Sequence, residues 1–300
     1  MSQKTWRELW YENAGLNCVR RGLEYLIPDE IRTRITWQRK FGVELNLVNP
    51  VSFNEKLQWL KLRYRNPLLV PCSDKYSVRE FVSSRIGTKY LNELYGVFED
   101  VDQIDFRKFP EQFVLKATHG SEMNVFCRDR QSFDEAATRR IMRSWLATNY
   151  YWANREWWYK RIQPRIVCEK YLIDESTRDL RDYKFLCFDG RVGYIWVDID
   201  RFTRHRRNFY DLDWRYRDVA VKYPTAPDTV ISRPRNLYQM IELASVLSKG
   251  FPHVRVDFYN LNDRQVLFGE LTYCSGGGLE VFSSPHFAKE LGDMIDLPDV

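Results

Sequence analysis

Apolar side chains recur every three or four residues in several stretches of this 300-residue chain, a spacing that predicts amphipathic helices. The clearest stretch is "VSFNEKLQWLKLRYR", in which Leu57, Leu60 and Tyr64 lie on one helical face. Ser52 and Glu55 have the spacing of a capping box, in which each side chain binds a free backbone N–H at the helix start. A helix is therefore expected from about residue 53.

Three more stretches predict helices. "CSDKYSVREFVSSRIG" predicts one with Asp74 and Lys75 in its first turn and Gly87 at its end. "SFDEAATRRIMRSWLATNYYW" has a second capping-box spacing at Ser132 and Glu135. "RNLYQMIELASVLSKG" is amphipathic and ends in a Lys-Gly stop signal, and residues 1 to about 50 are expected to be helical in part.

Short apolar runs bounded by turn residues predict antiparallel strands between these helices. Phe113–Ala117 predicts a strand that is followed by a Gly/Ser turn and a second strand, and Arg165–Glu175 predicts a strand leading into a connection. Asp189-Gly190 lies between two apolar runs, which is a strong hairpin signal. Helices and hairpins alternate without a regular βαβ rhythm, so the sequence favours an α+β fold.

The stretch "VRVDFYNLNDRQVLFGELTYCSGGG" predicts a last hairpin, with its turn at about Asn260–Arg264. With that turn, residues whose numbers sum to 527 face each other, so Asp257 opposes Glu270 and Arg255 opposes Thr272. Like charges directly across a sheet are destabilising unless a cation lies between them, and Mg²⁺ is commonly held by one or two carboxylates plus phosphates. The hairpin alone leaves two readings open, a metal pair or two solvated acids.

Composition narrows the function classes. The chain is 44% hydrophobic and 29% charged, with a net charge of +5, which fits a globular protein and an anionic ligand but not a nucleic-acid-binding surface. The six cysteines show no zinc-site spacing and suggest a reducing compartment. With no signal-peptide layout and no apolar run of membrane-spanning length, a cytoplasmic location is expected.

Single polar residues stand in apolar strands at three more places: Lys116 in "QFVLKATHGS", Glu169 in "VCEKYL" and Lys184 in "DYKFLCF". The turn at His119, Gly120 and Ser121 can offer backbone N–H groups to phosphate oxygens, although the chain has no Walker A loop. Taken one at a time, each of these residues is better explained by an edge strand with one solvated face. Considered together, in their order along the chain, these residues instead favour a functional site.

In that order the chain resembles the ATP-grasp superfamily, and within it the TupA-like branch named for teichuronopeptide biosynthesis. The matching stretches lie between about residues 50 and 285, and they include "SFNEKLQWLKL", "DKYSVREFV", "FPEQFVLKATHGS", "NYYWANREWWYK" and "PRIVCEKYL". Two departures are "HGSEMN", where the branch commonly has "HGSGGN", and "ELT", where many ATP-grasp enzymes have Glu-x-Asn.

The resemblance implies two α+β subdomains that hold ATP and Mg²⁺ after a mostly helical N-terminal region. The implied limits are 1–108 for that region, 109–172 for the small subdomain and 173–300 for the large one, which carries the metal site. The resemblance implies roles for the following residues: ATP binding by Lys116, His119, Gly120, Ser121, Glu169, Lys170, Tyr171, Leu172 and Lys184; metal binding by Asp257, Glu270 and Thr272; and catalysis by Arg255 and Lys184.

The activity that the resemblance implies is an ATP- and Mg²⁺-dependent carboxylate–amine ligase that acts through an acylphosphate. Its expected substrates are a uronic acid sugar and an amino acid or amine, in surface polysaccharide biosynthesis. The basic run "DRFTRHRRNF" is the candidate grip for an acidic acceptor, through Arg201, Arg206, Arg207 and Asn208. Two alternatives stay open: a glycosyltransferase that uses the D-x-D at Asp198–Asp200, and a non-catalytic protein that binds ATP weakly.

Overall fold

The structure is a computed structural model that describes residues 26–175, 180–200 and 203–299. The chain forms two compact units, residues 1–45 and 46–300. In the described part of the first unit, helix α1 (Asp29–Phe41) ends at Gly42, whose φ of 74° lies in the left-handed region that stops helices. The rings of Trp37 and Phe41 pack 4.3 Å apart on this helix.

The second unit has helices in the four stretches where the apolar periodicity predicts them, and further helices that it did not predict, such as the one at Pro285–Asp293. Their bounds are α2 Phe53–Arg63, α3 Leu69–Ser73, α4 Val78–Ile86, α5 Glu135–Leu146, α6 Tyr151–Asn154, α7 Leu237–Ser248 and α8 Pro285–Asp293. The capping box of α2 is confirmed, since Ser52 accepts a hydrogen bond from the Glu55 N–H and the Glu55 side chain accepts from the Ser52 N–H. Leu57 and Leu60 are buried on the predicted face.

Two details of the predicted helices are wrong. The second capping box is absent because Asp134 is the N-cap of α5, and its carboxylate accepts the hydrogen bond from the Ala137 N–H at 2.8 Å. The predicted helix from Cys72 to Gly87 is broken into α3 and α4 by Asp74. The Asp74 carboxylate accepts hydrogen bonds from the N–H groups of Tyr76 and Ser77, which stabilises a turn instead of a continuous helix.

A four-stranded antiparallel sheet has the strand order β1-β4-β2-β3. Its strands are β1 Leu94–Phe98, β2 Phe113–Ala117, β3 Asn124–Cys127 and β4 Ile166–Lys170. An apolar core of its own, which includes Phe106, Phe113 and Trp145, joins the sheet to α5. Because β1 pairs with β4, this sheet begins before residue 108, the limit predicted for the N-terminal region.

A six-stranded antiparallel sheet has the order β10-β9-β5-β6-β7-β8. Its strands are β5 Asp182–Phe188, β6 Arg191–Ile199, β7 Arg206–Tyr210, β8 Tyr216–Arg217, β9 Val254–Leu261 and β10 Gln265–Thr272. The predicted turn between β5 and β6 is confirmed, with φ of 44° at Asp189 and 80° at Gly190. Helix α7 packs against β5, β6 and β9.

None of the helices in the described ranges is both long and apolar enough to cross a membrane. Five cysteines in these ranges, Cys72, Cys127, Cys168, Cys187 and Cys274, are buried as free thiols. Together the two sheets and their helices give the second unit an α+β architecture, as the sequence predicts.

Candidate active site

Lys116 and Glu169 meet on the four-stranded sheet. They lie on neighbouring strands β2 and β4, and the Lys116 Nζ donates to Glu169 Oε2 at 2.7 Å. Arg79 Nη1 lies 3.8 Å from the other carboxylate oxygen. Burial would raise the pKa of Glu169, but the charges of Lys116 and Arg79 outweigh it and lower the pKa. The structure therefore brings together two of the predicted ATP-binding side chains and keeps Glu169 ionised.

The predicted phosphate-binding residues in the loop after β2 differ in their exposure. His119 is 2% exposed, its Nε2 lies 3.0 Å from the Trp145 carbonyl oxygen, and burial lowers its pKa. The ring of His119 is therefore fixed against the backbone at Trp145, and its contact with a nucleotide stays a prediction. Ser121 is exposed, whereas Met123 is buried in the apolar core of the small sheet. Met123 thus anchors the end of "HGSEMN", the segment where the branch commonly has glycine.

Lys75 is a site residue that the sequence reasoning missed. The turn at Asp74 directs its Nζ to the Gly120 carbonyl oxygen, while its own N–H donates to the Thr118 carbonyl oxygen. Burial lowers the pKa of Lys75, Glu270 raises it, and Lys116, Asp74 and Glu169 also act on it. Since Glu270 belongs to the large sheet and Lys116 to the small one, Lys75 interacts electrostatically with charged residues of both sheets. Its position in the first turn of a predicted helix, within a matching stretch, was the available signal.

The segment after Glu169 continues along the sheet edge. The Lys170 N–H donates to the Glu93 carbonyl oxygen, and the Lys170 carbonyl accepts from the Asn92 side chain at 2.9 Å. Both backbone groups of Lys170 therefore serve the sheet and not a nucleotide. Tyr171 and Leu172 follow it half-buried, and their contact with a nucleotide stays a prediction.

The predicted carboxylate pair is present on the large sheet. Asp257 on β9 is the cross-strand partner of Glu270 on β10, and Arg255 is the partner of Thr272. A β-bulge at Gly269 sets this register, because the pairs nearer the turn are offset by one residue. The two acids therefore lie side by side on one face of the sheet, as the hairpin geometry predicts.

Arg255 neutralises both acids. Its Nε and Nη2 donate to the two oxygens of Asp257 at 2.7 Å each, and Nη2 also donates to Glu270 Oε1 at 2.5 Å. Burial would raise the pKa of Glu270, but the charges of Arg255, Lys184 and Lys75 lower it to about 2. Thr272 donates its hydroxyl to Glu270 Oε1 at 2.7 Å, so it orients the acid.

Lys184 lies among three aspartates instead of projecting toward a phosphate. It is 5% exposed, and its Nζ is 2.7 Å from Asp257 Oδ2, 3.2 Å from Asp182 and 3.8 Å from Asp198. Direct contact with ATP, which the resemblance implies for this lysine, would require breaking these pairs. In this structure Lys184 orients Asp257 and balances its charge.

The basic run before β7 is largely engaged within the protein. Arg207 is 4% exposed, with its Nε 2.6 Å from Asp198 Oδ1, and Arg206 pairs with Asp200. Asn208 is 1% exposed and exchanges two hydrogen bonds with the backbone of Ala226, so its side chain is engaged within the protein and its acceptor contact stays a prediction. Arg201 lies outside the described residues.

The two acids of the D-x-D alternative are also engaged within the protein. Asp198 is 3% exposed, and although burial would raise its pKa, His205, Arg207 and Lys184 lower it strongly. Asp200 faces Arg206. Both carboxylates are thus paired with cations of the protein, as Asp257 and Glu270 are with Arg255, and the D-x-D reading stays an alternative to be tested.

Gly276, Gly277 and Gly278 form a left-handed turn with φ of 57°, 67° and 72°. A Cβ on Gly277 would lie 2.6 Å from Asn154 Cγ, and one on Gly278 would lie 2.5 Å from Gln58 Nε2. Only glycine fits such positions, for both steric and backbone reasons. Ser275, just before the turn, accepts a hydrogen bond from Arg255 Nη1 at 3.3 Å, so the turn borders the acid pair.

Helix α2 holds this glycine turn from the other side. The Gln58 amide donates to the carbonyl oxygens of Gly277 and Gly278 at 2.9 Å each, and the Asn54 amide donates to those of Gly278 and Glu280. Asn54 and Gln58 lie on the polar side of α2, where the apolar periodicity gave no signal. The four-residue spacing between Asn54 and Gln58 was the one indication in the sequence that these two side chains act together.

The family model described as TupA-like ATPgrasp matches residues 55–296. The chain belongs to the TupA-like ATP-grasp family. The α+β architecture with two antiparallel sheets agrees with the ATP-grasp fold that the resemblance implies. No curated protein matches the sequence.

Several solved structures are similar to this TupA-like chain. An L-amino acid ligase from Bacillus licheniformis has 16% identity and a TM-score of 0.44, covering 75% of this chain and 50% of the other. A D-alanine–D-alanine ligase from Bacillus anthracis has 18% and 0.40, covering 67% and 57%. An N5-carboxyaminoimidazole synthetase from Staphylococcus aureus, complexed with ADP, has 13% and 0.43, covering 72% and 50%. The chain thus spans about half the length of these proteins.

The acid pair of this TupA-like chain suits a divalent cation. Glu270 is held ionised and its side chain is 43% exposed, while Asp257 lies beside it. In the described residues there is no group of three acidic, histidine or cysteine side chains arranged for a metal. Two carboxylates completed by phosphate oxygens match the usual coordination of Mg²⁺, so the donor set fits a metal that arrives with ATP.

Proposed function

We propose that the chain is an ATP- and Mg²⁺-dependent ligase that joins a carboxylate to an amine through an acylphosphate. The observation that carries this proposal is Lys75, whose ammonium donates to the Gly120 carbonyl oxygen and interacts electrostatically with Lys116 and Glu169 on one sheet and with Glu270 on the other. Cations and acids from both subdomains thereby share one site. Phosphoryl transfer depends on positioning and charge neutralisation, and this arrangement supplies both.

On the nucleotide side, Lys75 and Lys116 would neutralise the phosphates of ATP, and Asp257 and Glu270 would hold Mg²⁺. When bound, Mg²⁺ would neutralise charge on the phosphate oxygens. The backbone of Gly120 and Ser121 would lie over the phosphates. Arg255 remains positively charged. Burial alone would lower its pKa, but the charges of Asp257 and Glu270 raise the pKa by more than burial lowers it. This charge would stabilise the transferred phosphoryl group.

The reaction would occur in two balanced steps. A carboxylate oxygen of the first substrate attacks the γ-phosphorus of ATP, and the bond to the bridging oxygen breaks to release ADP. The amine of the second substrate then attacks the acylphosphate carbon, inorganic phosphate leaves, and the nitrogen loses one proton. Water must be kept away from the acylphosphate, and the loop at Gly120 and Ser121 would contribute to this by covering the phosphates.

For substrates, we propose a uronic acid sugar as the carboxylate and an amino acid or amine as the nucleophile, in surface polysaccharide biosynthesis in the cytoplasm. This choice follows from the family resemblance, and the net charge of +5 supports an acidic substrate. Within the basic run, Arg206 is the described residue still placed to meet such an acceptor, since its side chain is 27% exposed.

ADP release is the test. Purified full-length chain with Mg²⁺ and ATP is supplied with uronic acids and amino acids in pairs, and products are analysed by mass spectrometry. A pair-dependent release of ADP, with a product mass equal to both substrates minus water, supports the proposal, and the Lys116→Met variant should lack it. Release of UDP from a UDP-sugar instead would favour the glycosyltransferase.

A further inference from the structure

Two buried side chains of opposite charge flank the glycine turn, and neither the nucleotide site nor the metal pair uses them. Lys61 on α2 is 4% exposed, and Glu156, which follows α6, is 6% exposed. Burying an ionisable group is costly unless it is paired. A lysine and a glutamate kept inside the protein therefore require an explanation.

Lys61 lies on the same polar face of α2 as Asn54 and Gln58, which bind the turn. The three residues are at positions i, i+4 and i+7, so they lie in a row along the helix. Within the described ranges, no side chain makes an ion pair or hydrogen bond with the Lys61 ammonium group. Lys61 is thus a buried residue beside the glycine turn whose ammonium has no direct side-chain partner in the described part of the chain.

Glu156 approaches the same turn from the other side. Its carboxylate accepts one long hydrogen bond, 3.4 Å, from Asn154, and Asn154 is the residue that packs against Gly277. Lys61 acts on Glu156 electrostatically, but no ion pair joins them in the described structure. Burial raises the pKa of Glu156 to about 7 because its charge is so little compensated.

Cys274, at the start of the turn, is acted on by both charges. Burial raises the pKa of its thiol, Glu156 raises it further and Lys61 lowers it, so both groups are within electrostatic range of the same sulfur. Tyr159 connects this region to the acid pair, since burial, Glu156, Glu270 and Cys274 all raise the pKa of its hydroxyl. The separated charges thus lie next to the proposed reaction site.

We propose that Lys61 and Glu156 form a binding subsite for a free α-amino acid, with the α-carboxylate on Lys61 and the α-ammonium on Glu156. A zwitterion carries two opposite charges a short distance apart. It would give Lys61 and Glu156, which form no ion pair with each other, one partner of opposite charge each. The inference rests on the proposed function, in which it identifies the amine substrate as an amino acid.

The experiment measures amino-acid binding directly and not turnover. The twenty L-amino acids are screened against the full chain by thermal shift, with and without Mg²⁺ and a non-hydrolysable ATP analogue. The best binder is then compared by calorimetry with its methyl ester, which lacks the carboxylate charge, and with its N-acetyl derivative, which lacks the ammonium. The wild-type chain should bind both derivatives at least about tenfold more weakly than the amino acid.

Variants then assign each discrimination to one residue. Lys61→Met should bind the amino acid and its methyl ester equally, and Glu156→Gln should bind the amino acid and its N-acetyl derivative equally. The matched control is Lys56→Met on the same helix, because the Lys56 ammonium donates to the Ile295 carbonyl oxygen and should not affect either ratio. If Lys61→Met fails to fold, the ratios of the wild type and of Glu156→Gln still decide the matter.

The inference is overturned if no amino acid binds, or if both ratios are unchanged in the two variants. Its failure is separable from that of the proposed ligase. An ADP-releasing enzyme whose amine substrate ignores Lys61 and Glu156 would refute the subsite and leave the ligase. The opposite outcome is that an amino acid binds and each variant loses its discrimination as described, but no substrate pair releases ADP. That outcome would support the subsite and refute the ligase.

Discussion

Arg255 and Asp257, two residues apart on β9, form a bidentate ion pair with both N···O distances at 2.7 Å. Alternate residues of a strand point to the same face, so their side chains can meet without help from another element. The same guanidinium then reaches Glu270 across the hairpin. One arginine thereby fixes the orientation of both acids that would hold the metal.

Replacing Glu270 by glutamine should weaken the binding of Mg²⁺ without unfolding the protein. The Glu270 side chain is 43% exposed, so the variant should lose no more than about 1 kcal/mol of unfolding free energy. The Mg²⁺ concentration that gives half-maximal ADP release should rise at least about tenfold, because one of two anionic ligands is neutral. Magnesium titrations of both proteins make the comparison, and an unchanged midpoint would show that Glu270 is not a ligand.

Lys75 and Lys116 should both contribute to nucleotide affinity. Each Met substitution removes one cation from the site, and we expect ATP to bind about tenfold or more weakly in either variant. Lys89, which lies over the Tyr90 ring, serves as control because it contacts neither site acid. Dissociation constants from titration with a fluorescent ATP analogue test this. Wild-type affinity in Lys75→Met would remove this lysine from the phosphate site.

The hairpin shows how far sequence reasoning could reach. The register with Asp257 opposite Glu270 is confirmed, yet a uniform register is not, because Val266 pairs with Asn260 and the bulge at Gly269 absorbs the difference. Alternation and turn residues indicate a hairpin, but they do not locate a bulge. The strand β1 was missed for a related reason, since Leu94–Phe98 is half-buried throughout and contains a glycine.

Other parts of the site depend on contacts between distant segments. Lys184 looked like a phosphate ligand, but its three aspartates come from β5, β6 and β9, which only the folded sheet brings together. Lys75 and the polar face of α2 were overlooked because their partners are more than 40 residues away. The family resemblance supplied the order of the site residues, and the structure supplies their partners.

The glycine turn should not tolerate a side chain. In Gly277→Ala, the new Cβ would meet Asn154 Cγ at 2.6 Å, and the φ of 67° is itself unfavourable for alanine. We expect a loss of about 2 to 4 kcal/mol in unfolding free energy, together with a large loss of ADP release. The matched control is Gly250→Ala, whose φ of 90° is also strained but whose Cβ would meet nothing within 4 Å.

The Gly250→Ala control should lose about 1 kcal/mol and keep its activity. Urea denaturation of the two variants and the wild type measures the free energies. Equal losses in the two variants would mean that backbone strain alone accounts for the effect. In that case the close packing of Asn154 on the turn would have no energetic importance.

Glu156 should make the stability of the protein depend on pH between about 4.5 and 7. Burial raises its pKa from 4.5 to about 7 in the folded state, so the folded protein retains a proton there that the unfolded chain has released. The stabilising contribution of that proton is complete below pH 4.5 and is lost as the pH rises through 7. At higher pH the buried carboxylate costs about 3 kcal/mol relative to a neutral side chain.

Glu156→Gln should remove this dependence, because glutamine has a similar shape and does not titrate. We expect the variant to gain stability relative to wild type as the pH is raised from 4.5 to 8, by up to about 3 kcal/mol. Urea denaturation at half-unit pH intervals measures the difference, with Glu80→Gln on the exposed face of α4 as the control that should show none. If an amino acid binds to Glu156 through its ammonium, saturating ligand should reduce the difference, since it stabilises the ionised carboxylate of wild type. A difference that stays constant with pH would mean that Glu156 is already compensated, and that the Lys61–Glu156 subsite has no uncompensated charge to offer.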